Sequence, residues 1–332
     1  MVTEQRVRGR NATYLIDLGG TWLRLTDATG PSHTVTRLPA PSLLRRPDRT
    51  VAELRRELIE LLCARTPSDA VVAMSCGAAM DETRGIVYGS APLWGAARDQ
   101  FRLVDALTER RPDVRWYLVN DLTAGLADFA RFAPPTARLI GYLTVSSGIA
   151  YRCADFAHRT IPVDEWGLQG EVGHLTAPLS DDLHPAPRCG CGASGHIGAI
   201  SSGPGIQQVA TTVGLDCGPD FTAGFTERLA ARDRLALRVL RVAVAPIAEF
   251  LRGLWYTTPQ LDLVGLGGGV VENLREFYRA ELFRLLAERR SYADRGRDED
   301  WLARHVKLCA PGEIDSMRGA ARMLRGELAV AR

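Results

Sequence analysis

Apolar positions along this 332-residue chain fall into two patterns. Short apolar runs end in small or acidic residues at 14–20, 23–27, 32–38, 70–74, 116–119, 139–145 and 260–264, which predicts strands. Between them apolar residues recur at helical spacing. Val51, Leu54, Leu58, Leu61 and Leu62 form one face of a helix opened by a Thr50/Glu53 capping box. Leu103, Val104 and Leu107 form another such face. Helices are also predicted at 122–132, 199–209 and 227–254, with Pro246 kinking the last. Charge-rich helices follow at 274–304, and an amphipathic helix at 315–330 closes the chain. Pro134-Pro135 reads as a linker, and a strand, a small-residue turn and a second strand occur on both sides of it. An α/β protein of two domains is the expectation.

Candidate chemistry gathers in the turns. After the first strand come Gly19, Gly20 and Thr21, whose backbone N–H groups and hydroxyl can cradle phosphate oxygens, with Asp17 placed to hold Mg²⁺ directly or through water. An ordinary hairpin uses the same residues, so the turn alone leaves both readings open. Asn120-Asp121 ends a strand: a carboxylate there can accept a proton from an alcohol attacking a phosphoryl group, or simply cap the next helix, which spacing alone favours. Cys76 has no identifiable base beside it and reads as a small buried thiol. His174, Cys189, Cys191 and His196 can converge on one tetrahedral zinc ion, their interleaved glycines permitting the tight turns. Reduced thiols beside solvated histidines are the alternative, and His184 competes with His196 as fourth ligand. Gly267, Gly268 and Gly269 let backbone approach a flat ring or phosphate, although a plain turn looks the same.

E-V-G-H at 171–174, C-G-C-G-A-S-G at 189–195, S-S-G-P-G-I at 201–206 and D-L-G-G-T-W-L-R at 17–24 together resemble the ROK family of sugar kinases and sugar-responsive repressors, from residue 14 to about 321. That resemblance implies a two-domain actin/hexokinase-like (ribonuclease H-like) fold with a cleft between the lobes. An N-terminal lobe at 1–133, a C-terminal lobe at 134–314 and a helix at 315–332 packing back on the first lobe are expected. It makes Asp121 the general base and Asn120 a ligand of a sugar hydroxyl, with Gly77, Ala78 and Ser90 also under the sugar. Glu171 and His174 would face sugar hydroxyls, held by the structural zinc loop. ATP with Mg²⁺ would lie between Asp17, Gly19, Gly20 and Thr21 on one side and Ser146, Ser147 and Gly148 on the other, with Gly267–Gly269 at the adenosine. A homodimer is implied by the same analogy.

Three departures matter. His196 stands where the family has a third cysteine, Ser146-Ser147-Gly148-Ile149-Ala150 replaces G-T-G-I-G, and Gly198 replaces a glutamate. A lost carboxylate removes a charged hydrogen bond of about 1.5–3 kcal/mol, which weakens glucose binding and points to a modified substrate: an amino sugar such as kanosamine, or a C7-cyclitol. Glucokinase or N-acetylmannosamine kinase activity, and a non-catalytic sugar sensor, are the rival readings.

Composition narrows the field. Apolar content of 46% and charged content of 24% suit a globular protein, and a net charge of +2 provides no basic field for nucleic acid. The residues before position 14 are too few for a DNA-binding domain, which disfavours the repressor branch. No apolar run reaches the length of a membrane span, the first ten residues contain no secretory signal, and seven dispersed cysteines suit a reducing cytoplasm. Lys307 is the sole lysine, so lysine-dependent chemistry is nearly excluded.

Overall fold

The computed structural model describes residues 9–29, 34–178, 183 and 185–332. His184 therefore lies outside the described residues, as do two positions of the strand expected at 32–38. The chain divides into two compact units: 1–132, 158–169 and 315–332 form the first, and 133–157 and 170–314 the second.

The first unit begins with β1 (Tyr14–Leu18), β2 (Trp22–Asp27), β3 (Thr36–Pro39), α1 (Val51–Arg65) and β4 (Val71–Cys76). A small sheet of β5 (Ala79–Asp81), β6 (Ile86–Gly89) and β7 (Phe101–Arg102) encloses the one-turn α2 (Ala91–Trp94). Then come α3 (Leu103–Arg110), β8 (Arg115–Asn120) and α4 (Asp121–Phe129). In the second unit β9 (Leu139–Val145) and β10 (Ile149–Asp155) form a hairpin, and β11 (Thr160–Pro162) returns to the first unit. The second continues with α5 (Gly198–Ser201), α6 (Gly203–Thr212), α7 (Phe221–Ala230) and α8 (Arg234–Thr257). It ends with β12 (Leu261–Gly267), α9 (Gly269–Asn273), α10 (Arg275–Ala287), α11 (Glu299–His305) and β13 (Val306–Leu308). Finally α12 (Ser316–Leu324) and β14 (Ala329–Ala331) belong to the first unit, where β14 pairs with β11.

Both Thr50/Glu53 capping contacts form, and Leu54, Leu58 and Leu62 bury the predicted face of α1, the latter two against Ile16, Leu18 and Met74. The main sheet of this unit has the order β3-β2-β1-β4-β8. β1, β4 and β8 run parallel, with Asp17 opposite Ser75 and Cys76 opposite Asn120, so three strands deliver their carboxyl ends to one edge. Open α/β sheets bind ligands at such edges. In the second unit β13-β12-β9-β10 are neighbours, and β12 pairs with β9 so that Gly267 faces Thr144. Two glycine- and serine-rich turns therefore leave the sheet at the same end.

Three helical expectations change in detail. The run at 227–254 is two helices, because Arg232 takes a left-handed φ of 57° and Asp233 caps α8 through the N–H groups of Leu235 and Ala236. The run at 199–209 divides at Ser202, which caps α6. The last helix ends at Leu324, with Gly326 at φ 80°, and the chain leaves as a strand. Among the described residues no helix is long and apolar enough to cross a membrane.

Candidate active site

At the edge of the first unit, capping divides Asn120 from Asp121. The Asn120 side chain accepts from the N–H groups of Leu122 (2.9 Å) and Thr123 (3.3 Å) and donates to the Ala78 carbonyl (2.8 Å). Asn120, not Asp121, is thus the N-cap of α4, and its buried amide ties that helix to the turn after β4. Asp121 is exposed at the first helical position, and its Oδ1 accepts from the Leu122 N–H at 2.9 Å. Its other oxygen stands over Gly77, 3.3 Å from where a Cβ on that residue would lie. Ser90 donates to the Gly77 carbonyl at 2.7 Å, so its hydroxyl shapes this turn. Cys76 is fully buried, and burial together with the Asp121 and Asp17 carboxylates pushes its thiol well above the ordinary value. It is an inert core thiol.

Asp17 lies beside these groups at the end of β1. Arg24 holds one of its oxygens at 2.9 Å and the Ser75 hydroxyl holds the other. The adjoining Gly19-Gly20-Thr21 turn is clamped from a segment whose part the sequence does not reveal. Ser42 donates to the Gly20 carbonyl at 2.6 Å, and both the Ala40 N–H and Arg45 Nε donate to the Thr21 carbonyl, at 3.1 and 2.9 Å. Pro92 comes so close to Gly20 that a Cβ there would meet it at 2.3 Å, so this glycine is demanded by packing.

In the second unit the structure brings together two stretches the sequence singled out separately. Ser146, Ser147 and Gly269 line one cavity of about 300 Å³. The Ser146 N–H donates to the Gly148 carbonyl at 2.9 Å, closing the turn after β9. Gly268 has φ 93°, and a Cβ there would lie 2.6 Å from the Val145 carbonyl, so the glycine run is packed directly onto that turn. Pro204, Gln207, Phe221 and Asn273 also line it. Pro204 sits in the S-S-G-P-G-I stretch, whereas Gln207 of α6, Phe221 of α7 and Asn273 of α9 share no motif, which is why sequence reasoning missed them.

The loop carrying Glu171 and His174 is fixed to β10 through its glycines. A Cβ on Gly170 would lie 1.9 Å from the Tyr151 carbonyl oxygen, and one on Gly173 2.5 Å from that of Ile149. Glu171 is left exposed. Isolated bridges pair Thr176 with His196 and Arg188 with Ser194, and positive φ at Gly192 and Gly195 completes a small folded loop. One ligand atom each from His174, Cys189, Cys191 and His196 then lies within 4.8 Å of the others. Cys189 Sγ is 3.9 Å from His174 Nδ1, and Cys191 Sγ is 3.4 Å from His196 Nδ1. Burial raises the Cys189 thiol, and two sulfurs with two imidazoles are a donor set that fits tetrahedral zinc.

A model of the ROK family matches residues 13–325. Over 326 residues the chain is 39% identical to 2-epi-5-epi-valiolone 7-kinase of Actinoplanes sp., covering 92% of this chain and 90% of that protein. It is 34% identical over 204 residues to C(7)-cyclitol 7-kinase of Streptomyces hygroscopicus subsp. jinggangensis, covering 57% of this chain and 54% of that one. Among solved structures, the ROK hexokinase from Thermus thermophilus aligns with a TM-score of 0.64 at 23% identity, over 93% of this chain and 96% of its own. That likeness shows the fold, a mixed α/β architecture of the hexokinase type.

Proposed function

The chain belongs to the ROK family and is an ATP-dependent sugar kinase, and we propose that its substrate is a C7-cyclitol phosphorylated on its primary hydroxyl. The observation that carries this reading is Gly198. Where the family resemblance expects a glutamate, a bare glycine lies against Gly173, and a Cβ there would stand 3.0 Å from the Gly173 carbonyl. Without that carboxylate the site loses one hydroxyl ligand, which suits a carbocycle better than glucose. The 2-epi-5-epi-valiolone 7-kinase and the C(7)-cyclitol 7-kinases among its relatives support the same choice.

In this reading Asp121 takes the proton of the attacking hydroxyl, with Asn120 and Ser90 holding the backbone around it through Ala78 and Gly77. Asp17 would hold magnesium, directly or through water, and the clamped Gly19-Gly20-Thr21 turn would receive phosphate. Ser146, Ser147 and Gly148 receive phosphate in the second unit, and the cavity that Gly269 lines, at the end of the Gly267–Gly269 run, takes the nucleoside. Catalysis is mainly positioning and charge neutralisation. Glu171 and His174 face hydroxyls of the acceptor. Zinc at His174, Cys189, Cys191 and His196 is structural, keeping that loop folded. A homodimer belongs to the same proposal.

ADP release with Mg·ATP across glucose, mannose, N-acetylmannosamine, kanosamine and C7-cyclitols, with Asp121→Asn alongside, tests this. Preferred turnover of a cyclitol, abolished in the variant, is the expected result. Preference for glucose would overturn the substrate, and ATP and sugar binding without turnover would favour a sensor.

A further inference from the structure

We propose that Arg45, with Arg37, forms a phosphate-receiving site beside the first phosphate turn. The inference rests on the kinase reading but on residues that reading does not use. Arg45 Nε donates to the Thr21 carbonyl at 2.9 Å, and its guanidinium carbon lies 4.1 Å from the centre of the Trp22 ring. Arg37 approaches the same ring at 3.9 Å. Two guanidiniums thus share one indole next to Gly19-Gly20-Thr21. Some arginines of this unit are neutralised locally, Arg24 by Asp17, Arg46 by Glu57, Arg55 by Asp99, Arg111 by Asp113 and Arg318 by Asp128, but only Arg45 and Arg37 stack on a shared ring beside this turn. Among the described residues no carboxylate pairs with Arg45 or Arg37. Like charges held together without a counter-charge raise the local positive potential, which an anion relieves.

The geometry also says how the charge is presented. A guanidinium has five N–H donors in a rigid fork, and Arg45 uses one of them to anchor itself to the turn. The remaining donors match two phosphate oxygens in bidentate fashion. The chain's only lysine, Lys307, is paired with Glu313 at 2.9 Å in the other unit, so the turn has no lysine for this task. The ligand is a phosphate group, either the terminal phosphoryl of ATP or that of the phosphorylated product.

Calorimetric binding without acceptor separates this inference from the kinase reading. Mg·ATP and Mg·ADP are titrated into parent, Arg45→Ala, Arg45→Lys and Arg37→Ala proteins, and product inhibition is measured for each. If the parent binds no Mg·ATP, the kinase reading and this proposal both fall. If it binds and Arg45→Ala loses at least about tenfold in ATP affinity while ADP affinity holds, the site serves the terminal phosphoryl. Loss confined to product affinity assigns it to the product. Arg45→Lys, which keeps the charge but neither the fork nor the Nε contact, should recover part of the loss. No change in either affinity overturns the proposal, as does a lysine variant as weak as alanine, which would mean that Arg45 only shapes the turn.

Discussion

Paired substitutions at Gly198 separate what a carboxylate would supply from what the backbone resists. Gly198 opens α5, and its φ is not among the positive values, so any residue can adopt its conformation. Space is the constraint. A Cβ would lie 3.0 Å from the Gly173 carbonyl oxygen, and Gly173 has no room to retreat, because its own Cα side faces the Ile149 carbonyl. Overpacking of this kind costs about 1–3 kcal/mol, against about 0.5–1 kcal/mol gained when glycine is replaced in a helix. Gly198→Ala should therefore lose about 1 kcal/mol, read as a fall in Tm of a few degrees. Gly198→Glu bears the same crowding and adds a charged acceptor worth about 1.5–3 kcal/mol toward a substrate hydroxyl. On glucose, the glutamate variant should exceed the alanine variant in kcat/KM by about 10- to 100-fold. Its gain over the parent is smaller by whatever alanine loses. The assay is coupled ADP release at subsaturating glucose. Equal rates for the two variants would refute the idea that a missing carboxylate sets the preference.

Asp121→Asn should lower kcat by about 10²–10⁴ and leave Mg·ATP affinity unchanged, measured by ADP release and calorimetry. Cys189→Ser should lose bound zinc by metal analysis and raise KM for the acceptor with KM for ATP unmoved, since the loop it loosens carries Glu171 and His174. Gly268→Ala must force a φ of 93° and a contact 2.6 Å from the Val145 carbonyl, so nucleotide affinity should fall at least about tenfold by calorimetry. Asp294 is buried, which alone would raise its pKa, but hydrogen bonds from Tyr256, the N–H groups of Arg290 and Ser291, and Arg252 outweigh this and lower it from 3.8 to about 2. A depressed folded pKa stabilises above the unfolded value, so Asp294→Asn should lose about 2 kcal/mol at pH 7 in denaturant unfolding, with the deficit shrinking as pH falls from about 4 toward 2.

What could be read from the sequence was what local chemistry determines. The Thr50/Glu53 box forms as its spacing dictates, and the glycines at 268, 192 and 195 take the positive φ that such turns need. Apolar periodicity could not show the break at 231–233. Leu229 of α7 and Ala236 and Val239 of α8 bury into one core, so the pattern continues while the backbone does not. The clamp on the Gly19-Gly20-Thr21 turn was equally hidden, because Ser42 and Arg45 lie in a proline-rich loop with no period, and their acceptors are backbone carbonyls.

The proposed base shows how far placement can lie from the residue that acts. Asp121 starts α4, and all residues of α4 after Asp121 are buried, so its position is set by what α4 packs against. That partner is α12, far along the chain. Gly319 admits the Ala124 carbonyl so closely that a Cβ would lie 1.8 Å from its oxygen, and fully buried Asp128 takes two 2.6 Å bonds from Arg318 and one of 2.9 Å from the Asp315 N–H. Removing one partner of a buried charge pair typically costs about 3–5 kcal/mol. With Arg318 46% exposed, and Arg131 also 3.0 Å from Asp128, Arg318→Ala should fall below that range. If α4 shifts as a unit, kcat drops with little change in ATP affinity, because the bonds that Arg318 makes hold the helix of the proposed base and not the proposed phosphate turns. A loss of Tm with kcat intact would mean that Asn120 and the Ala78 carbonyl suffice to hold Asp121, and that α12 contributes stability alone.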